Sequence, residues 1–340
     1  MRSNEKRGAQ WGTRWCLLPA GALLLFMILS LWQRILIQPV FAQETDTEET
    51  SLVLTALPVT YSLTTALLQN TPVTVENLPA RGRRLNGLSN YFSSSAERLQ
   101  STFLNATAVV TIGKLWSGDP LYTAARQANI RIVEIDATQP WSNSMEGIAV
   151  AVQPQQLAPW SEGSNTEAGD SIWFWLSLTN AVRSTDIIAR DLQRLFPDSA
   201  ETIQINQLSL RNELLSMLRE YELRLASASD ITVFSLAPEL VYLTNELGLF
   251  VDGSFFVQDI DWTEADAQAF ENYLRDNRIP VVLHKWEPDE LIKNAIAAAG
   301  ARLVVLETLD AGIVEGGQMT GDSYMQLMRQ NLEALVLALN

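Results

Sequence analysis

Short apolar runs alternate with longer amphipathic stretches along most of the chain after residue 51. The run at 52–57 is typical of a buried strand, and the stretch after Pro58 repeats apolar residues at helical spacing. Thr263, followed by acids at 264 and 266, predicts the start of a later helix. Parallel strands need crossover connections of about a dozen residues or more, usually a helix. The pattern therefore predicts an α/β fold with parallel sheets.

The middle of the chain has a different pattern. From Ser177 to about Ala228 the sequence is helical throughout, with an apolar stripe that includes Leu214 and Leu218. A long helix here would be a stiff connector between two α/β lobes, with a ligand cleft between them. We therefore predict an N-terminal lobe over 52–178, a helical connector over 179–229 and a C-terminal lobe over 230–340.

The first 42 residues are typical of a targeting segment. Basic residues precede an apolar run, and Val40 and Ala42 fit the small-residue positions before a cleavage site. The run has about seventeen residues, the lower limit for spanning a bilayer, so an uncleaved anchor is the alternative. We expect a signal peptide or N-terminal anchor over 1–42 and an acidic tether over 43–51. The protein would then be exported, either periplasmic or otherwise extracytoplasmic, with or without a membrane anchor.

Composition narrows the classes of function. The net charge of −15 has the wrong sign for a nucleic-acid partner, because such binding depends on neutralising phosphates. Cys16 and His284 are the only Cys and His among 340 residues, so one chain cannot supply a Cys-rich or multi-His zinc site. The sequence also has no Gly-x-Ser-x-Gly elbow, phosphate-binding loop or dinucleotide fingerprint. We therefore expect a binding protein, not an enzyme, and no catalytic cofactor.

Several segments carry a family resemblance. The stretch that begins SIWFWLSLTNAV at Ser171 is similar to a segment of metal solute-binding proteins of ABC importers that begins His-Ile-Trp-Leu. The run VVLHKWEPDELIKNAIAAAGARLVVLETLDAG resembles that family's strand, helix, strand and acidic turn, and YMQLMRQNLEAL resembles its terminal helix. The resemblance, to the zinc and manganese cluster of this family, implies a bilobal fold. It also implies a permease and an ATPase of an ABC importer as partners.

The resemblance further implies where a metal ion would be held. Family members use three His, or two His and a Glu, together with an Asp or Glu. Serine replaces histidine at the equivalent positions, and a two-residue slip would exchange Ser235 for Ala237. Neutral hydroxyls are weak ligands for zinc or manganese. The equivalent positions are Ser89, Ser171 and Ser235, and the last acidic position is Glu307.

Three interpretations follow from these replacements. In the first, the cleft holds a divalent zinc or manganese ion at a site rebuilt around His284 and Glu307, although a packed strand-end histidine is the simpler reading. In the second, the cleft binds a metal chelate or a non-metal anionic or polar solute. Arg81, Arg83 and Arg84 would then contact the anion, unless they form a solvated turn. In the third, the protein has lost transport and is an accessory or scaffold protein. Membrane contact would come from docking on the permease or from the uncleaved anchor.

Overall fold

The structure is a computed structural model that describes residues 51–156, 158, 160 and 169–340. These residues belong to one compact unit, Thr50–Asn340. The predicted signal segment, nearly all of the tether and most of the polar loop at 161–170 lie outside the described residues. Within the described part of the chain, no helix combines the length and apolarity needed to cross a bilayer.

The first half of the described chain forms a four-stranded parallel sheet with the strand order β2-β1-β3-β4. Its inner strands are almost entirely buried, as expected for a parallel sheet that helices cover on both faces. The strands are β1 (Leu52–Thr55), β2 (Thr74–Asn77), β3 (Ala106–Thr111) and β4 (Val133–Asp136), and the helices are α1 (Pro58–Leu67), α2 (Leu85–Ser94), α3 (Ala96–Asn105) and α4 (Leu121–Ala128).

Two long helices follow, α5 (Leu178–Leu195) and α6 (Ala200–Leu225). They pack against each other, and both contact α1. The hydroxyl of Ser177 caps α5 by accepting a hydrogen bond from the Asn180 N–H at 3.1 Å. The helical pattern between residues 177 and 228 is therefore confirmed, with one interruption at 196–199, where Pro197 cannot continue α5.

The second half of the chain repeats the first arrangement. Its four parallel strands have the order β6-β5-β7-β8, the same connectivity as the first sheet. Thr263 and Asp266 form a capping box at the predicted start of a helix. The strands are β5 (Thr232–Ser235), β6 (Phe250–Ser254), β7 (Val281–His284) and β8 (Arg302–Val305), and the helices are α7 (Val241–Glu246), α8 (Glu264–Asp276) and α9 (Glu290–Ala299).

The C-terminal segment connects the two halves. A hairpin of β9 (Val314–Glu315) and β10 (Gln318–Met319) precedes α10 (Ser323–Leu339). The Met319 N–H donates to the Ala80 carbonyl at 2.7 Å, and the Tyr324 hydroxyl donates to the Trp175 carbonyl at 2.8 Å. The predicted class of two parallel-sheet α/β lobes is confirmed, whereas the boundaries at 178 and 229 stay a prediction.

Candidate functional site

The strands β5 and β7 are neighbours, and their carboxyl ends carry two of the predicted site residues, Ser235 and His284. The Ser235 hydroxyl donates to the Ala237 carbonyl at 3.1 Å. It therefore stabilises the turn before Pro238, which begins the next helical turn. A solute that bonded this hydroxyl proton would have to displace the Ala237 carbonyl.

His284 is buried, and both of its ring nitrogens have protein partners. Nδ1 accepts from the Lys285 N–H at 2.9 Å, and Nε2 lies 3.3 Å from Asp259 Oδ1. Because Nδ1 is an acceptor, the proton of the neutral ring is on Nε2 and points to Asp259. Burial lowers the pKa of His284 below its ordinary value of 6.5, and the neighbouring Asp259 opposes this shift.

A Lys–Glu ion pair lies beside this histidine. The Lys285 ammonium bonds Glu239 Oε1, and it also lies 4.5 Å from the centroid of the Trp286 ring. Glu239 is in the helical turn after β5, and its side chain is 10% exposed. Its second oxygen, Oε2, is buried and has no hydrogen-bond partner. This oxygen is therefore an acceptor that a solute could satisfy.

Ser171 supplies a second unsatisfied group. Its backbone is fixed, since its N–H donates to the Ala151 carbonyl at 2.9 Å and its carbonyl accepts from the Tyr242 hydroxyl at 3.1 Å. Its own hydroxyl is fully buried and has no partner, and the indole N–H of Trp173 is also buried without one. Tyr242 is one helical turn beyond Glu239, so Ser171 bonds to the segment that carries this carboxylate.

Glu307 lies just beyond β8, the strand next to β7. The Asn331 side chain bonds both its N–H and its carbonyl at 2.8 Å, which fixes the backbone while the side chain remains exposed. The His284 ring is bonded to Asp259 and Lys285 instead. In the described residues, no three His, Cys, Asp or Glu side chains are arranged to hold a metal ion. A metal site built on His284 and Glu307 stays a prediction.

The remaining predicted residues are exposed and lie in the first half of the chain. Ser89 is on α2, and its role as a ligand-equivalent position stays a prediction. The Arg83 guanidinium lies 5.8 Å from the Tyr91 ring centroid, whereas Arg81 lies beside Gly317 of the hairpin. Arg84 precedes the first residue of α2. An anion site formed by all three arginines therefore stays a prediction.

Two residues at the second sheet have contacts that the sequence did not predict. Lys285 follows a strand directly, and side chains alternate between the two faces along a strand. His284 and Lys285 can therefore contact different partners. This alternation is the feature of the sequence that could have indicated a separate role for Lys285. Asp259 lies beyond β6, far from His284 in sequence. Nothing in the sequence indicates that these two residues meet.

The family model of the periplasmic zinc-uptake complex component A, ZnuA, matches residues 93–338. Among curated proteins, the zinc-binding lipoprotein AdcA of Streptococcus pneumoniae (strain ATCC BAA-255 / R6) is 25% identical over 163 residues. That match covers 47% of this chain and 32% of the relative. Zinc-binding protein AdcA of Streptococcus pyogenes serotype M3 is 22% identical over 165 residues, with 48% and 32% coverage. The aligned region is thus about half of this chain and a third of these relatives.

Solved structures show the same fold. An FpvC mutant of Pseudomonas aeruginosa has a TM-score of 0.65 at 18% identity, covering 85% of this chain and 98% of the other. The Zn(II)-bound ZnuA-like domain of Streptococcus pneumoniae AdcA has a TM-score of 0.60 at 19% identity, with the same coverage. These are binding proteins and not enzymes, as the sequence predicts. The family model matches well over half of the length of this chain, so the chain belongs to the ZnuA family of periplasmic zinc-uptake components.

Proposed function

We propose that the protein is the extracytoplasmic solute-binding component of an ABC importer of the zinc and manganese type. In this role it captures a solute at the carboxyl ends of its sheets and delivers it to a permease that is driven by an ATPase. Membership of the ZnuA family supports this role. The repeated strand order of the two sheets also supports it, because ligands of open α/β folds bind beyond the carboxyl ends of the strands.

The chemistry of the site favours a polar solute or a metal chelate over a bare zinc or manganese ion. The observation that carries this choice is the buried, unpartnered hydroxyl of Ser171, at a position where the resemblance implies a histidine in metal-binding members of the family. A hydroxyl is a weak ligand for such metals but a good hydrogen-bonding group for a polar solute. Glu239 Oε2 adds an acceptor, and the Trp173 indole adds a donor.

A bare metal ion is the second candidate, and the relatives favour it. AdcA is named as zinc-binding, and FpvC has been solved in complex with Mn²⁺. In this chain such an ion would need His284 or Glu307, the residues of the rebuilt site. His284 would have to give up one of its two hydrogen bonds first, because both of its nitrogens already have partners.

Thermal-shift screening of the exported protein separates the two candidates. We expect no shift with zinc, manganese or iron salts, and stabilisation by a polar or anionic solute that Ser171→Ala weakens. The bare-metal candidate predicts the opposite result, a zinc or manganese shift that is lost in both Glu307→Ala and His284→Ala. Ser144→Ala is a matched control, because Ser144 is exposed and its hydroxyl pairs with that of Ser142.

A further inference from the structure

Lys285 forms an ion pair at the carboxyl end of the second sheet. It follows the last residue of β7 directly, and its ammonium reaches across to Glu239 in the turn after the neighbouring strand β5. The two side chains are only 22% and 10% exposed. The buried carboxylate is therefore neutralised by a cation of the chain itself.

Three contacts fix the position of this lysine. Its ammonium bonds Glu239 Oε1 and lies 4.5 Å from the Trp286 ring centroid, a distance typical of cation–π attraction. Its backbone N–H donates to His284 Nδ1 at 2.9 Å. The backbone and the head group are thus both held, so the ammonium is a fixed charge and not a freely moving surface group.

The positive charge of Lys285 compensates the negative charge of the Glu239 carboxylate. A buried carboxylate without a compensating cation is costly, so Glu239 without Lys285 would favour a cation from solution beside it. Lys285 removes that preference, because it supplies the compensating charge permanently. It leaves Oε2 without a partner, and this oxygen can accept one hydrogen bond from a neutral or zwitterionic solute.

We infer that Lys285 is a specificity-determining residue of the solute site, which takes the place of a divalent cation beside Glu239. In this role it rejects bare divalent ions by charge repulsion. It also favours a polar solute that donates a hydrogen bond to Glu239 Oε2. The inference rests on the proposed function, because it assigns the selectivity of the same site.

The test is a calorimetric titration with MnCl₂ of the protein in the form in which it is exported. We expect Lys285→Met to bind Mn²⁺ with a Kd at least tenfold lower than that of the wild type. The double variant Lys285→Met/Glu239→Gln should lose this gain, because it no longer has the buried carboxylate. Lys293→Met is the matched control, since this lysine pairs with Glu287 and Glu290 on the surface. The Mn²⁺ affinity of this variant should equal that of the wild type.

Folding is checked separately, by urea unfolding without metal and with the second variant Lys285→Gln, which keeps a polar head group. Wild-type Mn²⁺ affinity in folded Lys285→Met and Lys285→Gln would overturn the inference while leaving the proposed function intact. Tight zinc binding by the wild type that is lost in Glu307→Ala would overturn the proposed solute class. In that case the ratio of Kd values between Lys285→Met and the wild type still decides the role of Lys285.

Discussion

The carboxyl ends of the two sheets differ in how their polar groups are satisfied. At the first sheet, Asp136 accepts from the N–H groups of Lys114, Thr138 and Gln139 at 2.7–3.1 Å. Asp119 accepts from two further N–H groups, at 2.9 and 3.1 Å. At the second sheet, Glu239 Oε2 has no partner. The first set of carboxylates holds the loops in place, so acids at a strand end do not by themselves indicate a binding site.

The hydroxyl groups show the same contrast. Ser177 caps α5 and also donates to Glu246, so its hydroxyl is fully used in the fold. Ser171, only six residues earlier, keeps a buried hydroxyl without a partner. Buried groups without a hydrogen-bond partner also occur at Thr64, Thr65, Ser184 and Asp191. We place the solute contacts at Ser171 and Glu239 because the Tyr242 hydroxyl joins their two segments beyond the second sheet.

The largest expected effect comes from removing the structural carboxylate of Asp136. Asp136→Ala leaves the buried N–H and hydroxyl of Thr138 without an acceptor, each at a cost of roughly 1–3 kcal/mol, and also releases the part-buried N–H groups of Lys114 and Gln139. We expect the free energy of unfolding to fall by about 3 kcal/mol or more, measured by urea denaturation. The control Asp276→Ala, at an exposed helix end, should change it by less than about 0.5 kcal/mol. A similarly small loss for Asp136→Ala would contradict the structural role.

A smaller effect is expected in the pH dependence of stability. The pKa of His284 is lowered in the folded state, mainly by burial, so the unfolded chain binds its proton more readily. The stabilising contribution of the neutral ring is complete above the ordinary pKa of 6.5 and is lost as the pH falls below it. His284→Gln should therefore flatten the stability profile in this window. Identical slopes for the two proteins in urea titrations would refute this assignment.

The smallest stability effect is expected at Ser171. Ser171→Ala removes a buried hydroxyl that bonds nothing, so the free energy of unfolding should stay within about 0.5 kcal/mol of the wild type or rise. Ser177→Ala is the matched comparison and should lose about 1–2 kcal/mol, because the cap of α5 is lost. Equal losses in the two variants, measured by thermal unfolding, would show that the hydroxyl of Ser171 serves the fold.

Much of the fold could be predicted because apolar periodicity is a local signal. Strand β1, within the apolar run at 52–57, and the helix that starts after Thr263 both follow from neighbouring residues alone. Helix α2 was missed, since Asn86, Gly87 and a run of serines have weak helix propensity. Its buried residues, Leu88 and Phe92, indicate that tertiary packing stabilises it.

The site was harder to predict because its contacts are distant in sequence. Glu239 and Lys285 are 46 positions apart and meet because β5 and β7 are neighbours in the sheet. The family resemblance led to His284, Ser235 and Glu307 as candidates. It could not show that the ring of His284 bonds Asp259, since that contact depends on the path of the chain after β6.

We propose that the end of the second sheet and Ser171 form a polar solute site that does not bind a bare metal ion. Calorimetric titration of the wild-type exported protein with ZnCl₂ tests it most directly. We expect no saturable zinc binding with a Kd below about 1 μM, which corresponds to a binding free energy of roughly 8 kcal/mol. Stoichiometric zinc binding tighter than this, abolished by His284→Ala, would contradict it.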